Sequence, residues 1–225
     1  MTDLRLVVFD VDGTLVDSQA HILAAMKRAF AAIDRPPPPR AAVLGIVGLS
    51  LPVAMARLAP DMPDRVATLV EAYKSAFASL READGRTLSP LFPGARRCLD
   101  ALSADPWTLI GIATGKSRRG LDHLFELHGF GALFHTVQVA DDHPSKPHPA
   151  MLEACLSETG VEASRAVIVG DTTFDVEMGR AAGFRTIGVG WGYHDTGDLR
   201  AAGADLVIEG FSDLLPALDE VLQAA

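Results

Sequence analysis

Cysteine is scarce in this 225-residue chain: only Cys98 and Cys155 occur, and they stand in no paired motif. A disulfide framework is therefore excluded, and both read as reduced, buried thiols, which points to the cytoplasm. No apolar run approaches the length of a bilayer span, and the N-terminal residues lack the basic-then-apolar pattern of an export signal. Membrane insertion is not expected. Positive charge is also in short supply, with 20 Lys and Arg against 29 Asp and Glu, a formal net charge of −9. No Lys/Arg-rich run offers the electrostatic footprint that a nucleic-acid backbone needs, so nucleic acid is excluded as a partner. A small anion is not, because a metal ion and a local lysine can neutralise a site inside an acidic protein. Repeats are absent, and the four prolines Pro36–Pro39 are the only low-complexity segment.

What is present is ample apolar material, 48% of the residues, enough to bury a substantial core. Much of it falls in short runs rich in β-branched residues and bounded by turn residues: Leu4–Phe9, Thr108–Ala113, Ala166–Val169, Arg185–Val189 and Asp205–Ile208. Runs of this length suit strands covered on both faces. Helical patterns lie between them over Arg118–His128, Ala150–Thr159, Phe174–Ala182 and Phe211–Leu222. Strand alternating with helix predicts an α/β fold with a parallel sheet and helices on both sides.

The stretch from Ser18 to Ser89 breaks that rhythm. It holds no strand pattern but two amphipathic helix stripes, Ile22, Met26, Phe30, Ile33 and then Val66, Leu69, Val70, Tyr73, Phe77, Leu80. Asp61-Met62-Pro63-Asp64 is expected to cap the second helix, and Pro36–Pro39 to form a stiff extended connection. A helical insertion thus follows the first strand, and the chain returns to the α/β body near Leu91-Phe92-Pro93-Gly94.

Four segments look chemical. In Val7-Val8-Phe9-Asp10-Val11-Asp12-Gly13-Thr14 a buried strand runs directly into two carboxylates two residues apart. Asp12-Gly13 is a turn signal, but Asp10 belongs to the apolar run, where an uncompensated charge is costly. Thr114-Gly115-Lys116-Ser117 follows the second apolar run and can offer hydroxyl and backbone N–H donors to an anion, or merely cap a helix. Lys146-Pro147-His148-Pro149 holds a lone lysine between stiff residues before a helix, where the prolines could simply start that helix. Gly170-Asp171-Thr172-Thr173-Phe174-Asp175 follows the third run, and one helical turn would stack Asp171 and Asp175 on one face as metal ligands. In an open α/β sheet such segments meet beyond the carboxyl ends of the strands.

Taken in this order, the four segments resemble the motifs of the haloacid dehalogenase-like hydrolase superfamily, and most closely its phosphoglycolate phosphatase-like branch. The likeness runs through Asp-Val-Asp-Gly-Thr-Leu-Val-Asp-Ser at residues 10–18 and extends to Thr186–Tyr193 and Ala202-Gly203-Ala204-Asp205. It implies a doubly wound, Rossmann-like core over residues 1–17 and 90–225 with a helical cap over 18–89. It implies a Mg²⁺-dependent phosphatase in which Asp10 is the nucleophile and Asp12 the general acid and base. Thr14 would orient Asp12. The metal would sit on Asp10, the Asp12 main-chain carbonyl, Asp171 and Asp175. Lys146, Thr114, Gly115 and Gly13 would hold the phosphoryl group. The expected partner is a small phosphorylated substrate, and the chain is expected to be a monomer or homodimer.

Departures and rivals are also legible. Position 115 is Gly where many relatives carry Asn. Asp12 argues against carbon–halogen and phosphonate hydrolysis, whose enzymes in this superfamily lack it. The family's sugar-phosphate mutases bear a cap histidine four residues beyond the position of Ser18; here that position is Ile22, and His21 is one residue out of register. A receiver-like phosphoacceptor or an idle phosphate-binding relative remains an alternative, opposed by the insertion and the Asp10/Asp12 pair. Hinges are expected at Val16–Ser18 and Leu91–Gly94, and substrate selectors around Arg40, Gly45, Gly48, Ser50 and Arg57. The remaining histidines and Asp141-Asp142 are expected on the surface or in packing, with His148 shaping the Lys146 turn.

Overall fold

The structure, a computed structural model, describes residues 4–84 and 89–223. The expected core limits at 1 and 225, and residues 85–88 of the expected insertion, lie outside them. The first strand, β1 (Arg5–Phe9), forms because Leu6, Val7, Val8 and Phe9 are all fully buried, with alternate side chains going to opposite faces. Four helices follow: α1 (Gln19–Ala31), α2 (Arg40–Leu44), α3 (Leu51–Leu58) and α4 (Val66–Asp84). The chain then runs through α5 (Ala95–Ser103), β2 (Thr108–Thr114), α6 (Arg118–His128), β3 (Thr136–Val139) and α7 (Ala150–Thr159). It ends with β4 (Ala166–Gly170), α8 (Thr173–Ala181), β5 (Arg185–Val189), α9 (Thr196–Ala201), β6 (Leu206–Ile208) and α10 (Leu214–Gln223).

All neighbouring strands pair in parallel, in the order β3-β2-β1-β4-β5-β6. The expected doubly wound sheet is present. The strand order reverses at β1, which is flanked by β2 and β4, so a ligand crevice is expected beyond the carboxyl ends of these three strands. Val7 and Phe9 join one apolar layer with residues of α5, α6 and α10, while Leu6 and Val8 join another with residues of α7 and α8. Cys98 and Cys155 are free and buried in these layers; burial pushes their thiols up to about 11 and about 12 respectively.

Strand β3 and helices α2, α3, α5 and α9 had no signal in the apolar runs, and β3 and α5 show why. Strand β3 reads Thr-Val-Gln-Val and is polar at alternate positions; it forms the sheet edge, where the Thr136 hydroxyl donates to Glu158 (2.5 Å) and the Gln138 amide to Thr136 (3.0 Å). Helix α5 buries Ala95, Cys98, Leu99 and Leu102 on one stripe, a pattern hidden by the Arg96, Arg97 and Asp100 between them.

The helices after β1 have their own apolar cluster, in which Ile22, Met26, Phe30 and Ile33 of the first stripe meet Leu69, Val70, Tyr73 and Leu80 of the second. Pro39 is extended, with φ −54° and ψ 146°, as the proline run requires. The helical run starts inside the expected Asp61–Asp64 segment, as a 3₁₀ turn over Pro63–Arg65 that leads into α4, but without a side-chain cap: Met62 holds the N-cap position, and the Asp61 carboxylate pairs with Arg35 at 2.9 Å. The insertion meets the core at Ser50, whose N–H donates to the Ser145 hydroxyl (2.9 Å), and at Gly48. A Cβ at position 115 would lie 2.4 Å from the Gly48 carbonyl oxygen, so glycine at 115 is what lets the two backbones touch. Gly115→Ala is expected to destabilise the protein by about 1–3 kcal/mol, a fall of roughly 2–12 °C in thermal midpoint. An unchanged melting curve would show that the two backbones are not held at this distance.

Candidate active site

Two charged groups of the site, Asp10 and Asp171, stand directly at strand ends, Asp175 lies in the first turn of α8, and Lys146 lies in the loop between β3 and α7. Asp10 directly follows β1, and its N–H donates to the Val169 carbonyl of β4 at 3.0 Å, which pins the two strand ends together. The chain then folds back on itself: the N–H groups of Leu15 and Val16 both donate to the Val11 carbonyl at 2.9 Å. Gly13 makes this loop possible, with φ +90° and a Cβ position only 2.2 Å from Asp171 Oδ2. Its N–H is used by the Val16 carbonyl (2.9 Å), so the expected phosphate contact at Gly13 is not available from that group.

Asp171 follows β4 and is held by two donors, the Thr14 hydroxyl on Oδ1 and the Tyr193 N–H on Oδ2, each at 2.9 Å. The expectation that Thr14 orients Asp12 is overturned, because the fold-back loop aims its hydroxyl across to β4. Asp171 lies just outside α8, whose N-cap is Thr172, so the expected stacking on one helical turn is replaced by a strand end and a first turn side by side. Asp175 closes a capping box: Asp175 N–H donates to the Thr172 hydroxyl, and Thr172 N–H donates to Asp175 Oδ2 at 3.1 Å.

Lys146 reaches into the same point. Its ammonium donates to Asp10 Oδ1 at 2.8 Å and to Asp175 Oδ1 at 2.6 Å, and all four charged residues are 2% exposed or less. One carboxylate oxygen from each of Asp10, Asp171 and Asp175 lies within 4.8 Å of the others. Three carboxylates against one ammonium leave two negative charges uncompensated. Burial, then the neighbouring carboxylates, pushes Asp171 well above the usual carboxylate range. Burial pushes Asp10 up to about 7, against the pull of Lys146. Burial also works against the Lys146 charge, but the two carboxylates outweigh it and hold its pKa above that of a free lysine. Asp10 Oδ2 is buried and has no hydrogen-bond partner. An orphaned anionic oxygen, all-oxygen donors and a deficit of two charges fit a hard divalent cation.

Asp12 is set apart from that cluster. The Ser18 hydroxyl donates to its Oδ1 (2.5 Å) and the Lys116 ammonium pairs with its Oδ2 (2.9 Å). Lys116 also sits over the Phe77 ring of α4, 5.1 Å from its centroid. Asp10, Asp12, Thr114, Gly115 and Lys116 line one partly open cavity of about 340 Å³, to which residues of the insertion also contribute. Sequence reasoning named Lys116 only as part of the Thr114–Ser117 segment and residues 191–193 only as part of the Thr186–Tyr193 likeness, and gave neither a partner; in the latter the Trp191 indole N–H donates to the Thr14 carbonyl (3.1 Å) beside the Tyr193 contact. Of the expected selectors, only Gly48 lines this cavity; Arg40 donates to Gln19, and Arg57 lies over the Phe174 ring. His21 stacks on Phe77 at 3.8 Å, with Nε2 3.1 Å from the Phe77 carbonyl oxygen. His148 accepts from the Ala150 N–H within its own turn.

A sequence model of the family described as haloacid dehalogenase-like hydrolase matches residues 7–189. "Probable phosphatase IndB" of Dickeya dadantii is 35% identical over 97% of this chain and 95% of that protein. "Phosphoglycolate phosphatase 1" of Pseudomonas aeruginosa is 31% identical over 97% of this chain and 81% of that protein. A solved haloacid dehalogenase-like family hydrolase from Streptococcus pneumoniae superposes with a TM-score of 0.82 at 25% identity, covering 96% of this chain and 99% of that one.

Removing one partner from a buried ion pair leaves the other uncompensated, at about 3–5 kcal/mol. Lys146→Met is therefore expected to lower the thermal midpoint of the metal-free protein by roughly 10 °C. A midpoint equal to that of the unsubstituted chain would show that Lys146 does not neutralise the cluster.

Proposed function

This chain belongs to the haloacid dehalogenase-like hydrolases and is a phosphatase, and we propose that it hydrolyses a small phosphomonoester through an aspartyl-phosphate on Asp10, with Mg²⁺ as cofactor. The observation that carries this reading is the unpartnered Asp10 Oδ2 inside a ring of two further carboxylates and one ammonium, at the floor of a cavity that Asp12 also lines. Asp10, Asp171, Asp175 and the Asp12 main-chain carbonyl would hold the metal. Bound there, Mg²⁺ would offset the repulsion between a carboxylate nucleophile and a phosphate dianion.

In the first half-reaction an Asp10 carboxylate oxygen attacks phosphorus as the ester P–O bond breaks, and Asp12 gives its proton to the departing alcohol. In the second, Asp12 removes a proton from water, the water oxygen attacks phosphorus, and the bond to Asp10 breaks to release inorganic phosphate. Lys146 stabilises charge on Asp10 and the transferring oxygens, while the Thr114 hydroxyl and the Gly115 N–H hold the phosphoryl group; the Lys116 N–H donates to the Thr114 oxygen (3.2 Å) and fixes that hydroxyl. Ser18 and Lys116 keep Asp12 at the cavity wall, beside the leaving oxygen's place. The 18–89 insertion acts as a cap that keeps bulk solvent from the site while admitting the single water of the second half-reaction. Hydrolysis is favoured over phosphoryl transfer between sugar positions because His21 is committed to Phe77 and it is Ile22 that faces the cavity. The two free, buried cysteines support a cytoplasmic location for this enzyme. The names of the relatives make 2-phosphoglycolate the first ester to assay.

Phosphate release from a panel of phosphomonoesters is expected with Mg²⁺ and is expected to vanish in EDTA; metal-independent turnover would sink the reading. Asp10→Asn is expected to remove turnover entirely, and Asp12→Asn to slow it by about 10²–10⁴-fold. Mg²⁺ at a hundred times its dissociation constant is expected to stabilise the protein by about 2.7 kcal/mol, a rise of roughly 5–11 °C in thermal midpoint. Asp171→Asn is expected to abolish that rise. An undiminished rise in this variant would place the ion elsewhere.

A further inference from the structure

The cavity of about 340 Å³ has two unlike halves. Its floor is the polar strand-end chemistry described above. Its roof comes from the insertion, which contributes thirteen lining residues: ten are apolar or aromatic, and the others are Gly48, Lys74 and Arg81. Ile22 and Met26 of α1, Val47, Leu51 of α3, and Phe77 and Ala78 of α4 are among the ten. Apart from the Tyr73 phenol, no hydroxyl, amide, imidazole or carboxylate side chain of the insertion lines it among the described residues.

Resting on the phosphatase reading, we propose that this roof selects a phosphomonoester whose alcohol carries an apolar carbon body, ring-sized or branched, in preference to a polyol or a two-carbon acid. Hydroxyl groups of a polyol enclosed there would lose water without gaining partners, an unfavourable exchange. An apolar body would gain by leaving water. Size argues the same way. The cavity equals roughly eleven water volumes at about 30 Å³ each, so a glycolate group on the floor would leave water standing against an apolar wall. The cations that line the cavity need no second anionic group to explain them. Lys116 is paired with Asp12 and Lys74 with Glu71, while Arg81 and Arg119 give a net −9 protein a locally positive approach for a phosphate dianion.

The test compares esters of primary alcohols, whose leaving groups have similar intrinsic reactivity. With the full chain and Mg²⁺, kcat/KM for cyclohexylmethyl phosphate is expected to exceed that for glycerol 1-phosphate and for 2-phosphoglycolate by about tenfold or more. Leu51→Asn, a partly exposed wall position, is expected to shrink that ratio by about tenfold. Ala78→Met, which fills the cavity from α4, is expected to shrink it through a higher KM for the bulky ester. Equal efficiency for all three esters, or a preference for 2-phosphoglycolate, would overturn this inference and leave the phosphatase reading standing. Hydrolysis of none of them would overturn both. Should either variant fail to fold, the ratio in the unsubstituted enzyme already decides.

Discussion

One electrostatic constraint organises this molecule: three carboxylates and a single ammonium meet in the dry interior where β1 and β4 end. Like charges at that separation repel strongly once water is removed, and the raised Asp10 and Asp171 pKa values record the conflict. A fold built for stability alone would put apolar side chains there. The arrangement is sustained because the strands beneath it are buried on both faces, so the ends of β1, β2 and β4 cannot shift to relieve the strain. The stable sheet carries the unstable site.

Holding each carboxylate at a fixed place takes separate local devices. Asp175 is fixed by a capping box at the first turn of α8, and Asp171 by the Thr14 hydroxyl and the Tyr193 N–H. Asp10 is fixed by the backbone bond to Val169 and by Lys146. The loop from Val11 to Val16 closes on itself through main-chain bonds, and only a residue free to take a positive φ fits at Gly13 against Asp171. Both Asp171 oxygens and one Asp10 oxygen already accept hydrogen bonds, which leaves Asp10 Oδ2 as the anomaly that a cation resolves.

The sheet was legible because five of its strands are continuous apolar runs, and periodicity of that kind reports burial on both faces. The edge strand β3 was not, since an edge tolerates Thr136 and Gln138 and these write no apolar run. Asp10 and Asp171 were legible as charge abutting buried strands, a placement that costs free energy without a purpose, whereas Lys146 in a loop and Asp175 at a helix start drew notice only as parts of four segments in a fixed order. The partners of these groups were less legible. Thr14 is two residues from Asp12 in sequence but bonds Asp171, because the tight loop reverses the direction of its side chain. Lys116 resembles any solvated lysine at a helix start until the fold sets it between Asp12 and Phe77. Neither arginine proposed as a selector reaches the cavity, because charge on a helix is no guide to which face looks inward.

The division of labour between the two parts of the chain follows from what each can bury. The core can bring charge to one point because parallel strands deliver several chain segments to the same edge of the sheet with their backbones already bonded. The insertion has no such edge; its helices are stabilised by an apolar stripe, and part of that same stripe faces the cavity, as Ile22, Met26 and Tyr73 do. Under the proposed function, a helical insertion of this kind offers a substrate mainly shape and apolar surface. Gly48 against Gly115 is where the two meet with no side chain between them. At that junction the distance between apolar roof and charged floor is set by backbone contact. An asparagine in place of Gly115 would add a polar group to the floor only by lifting the roof away from it.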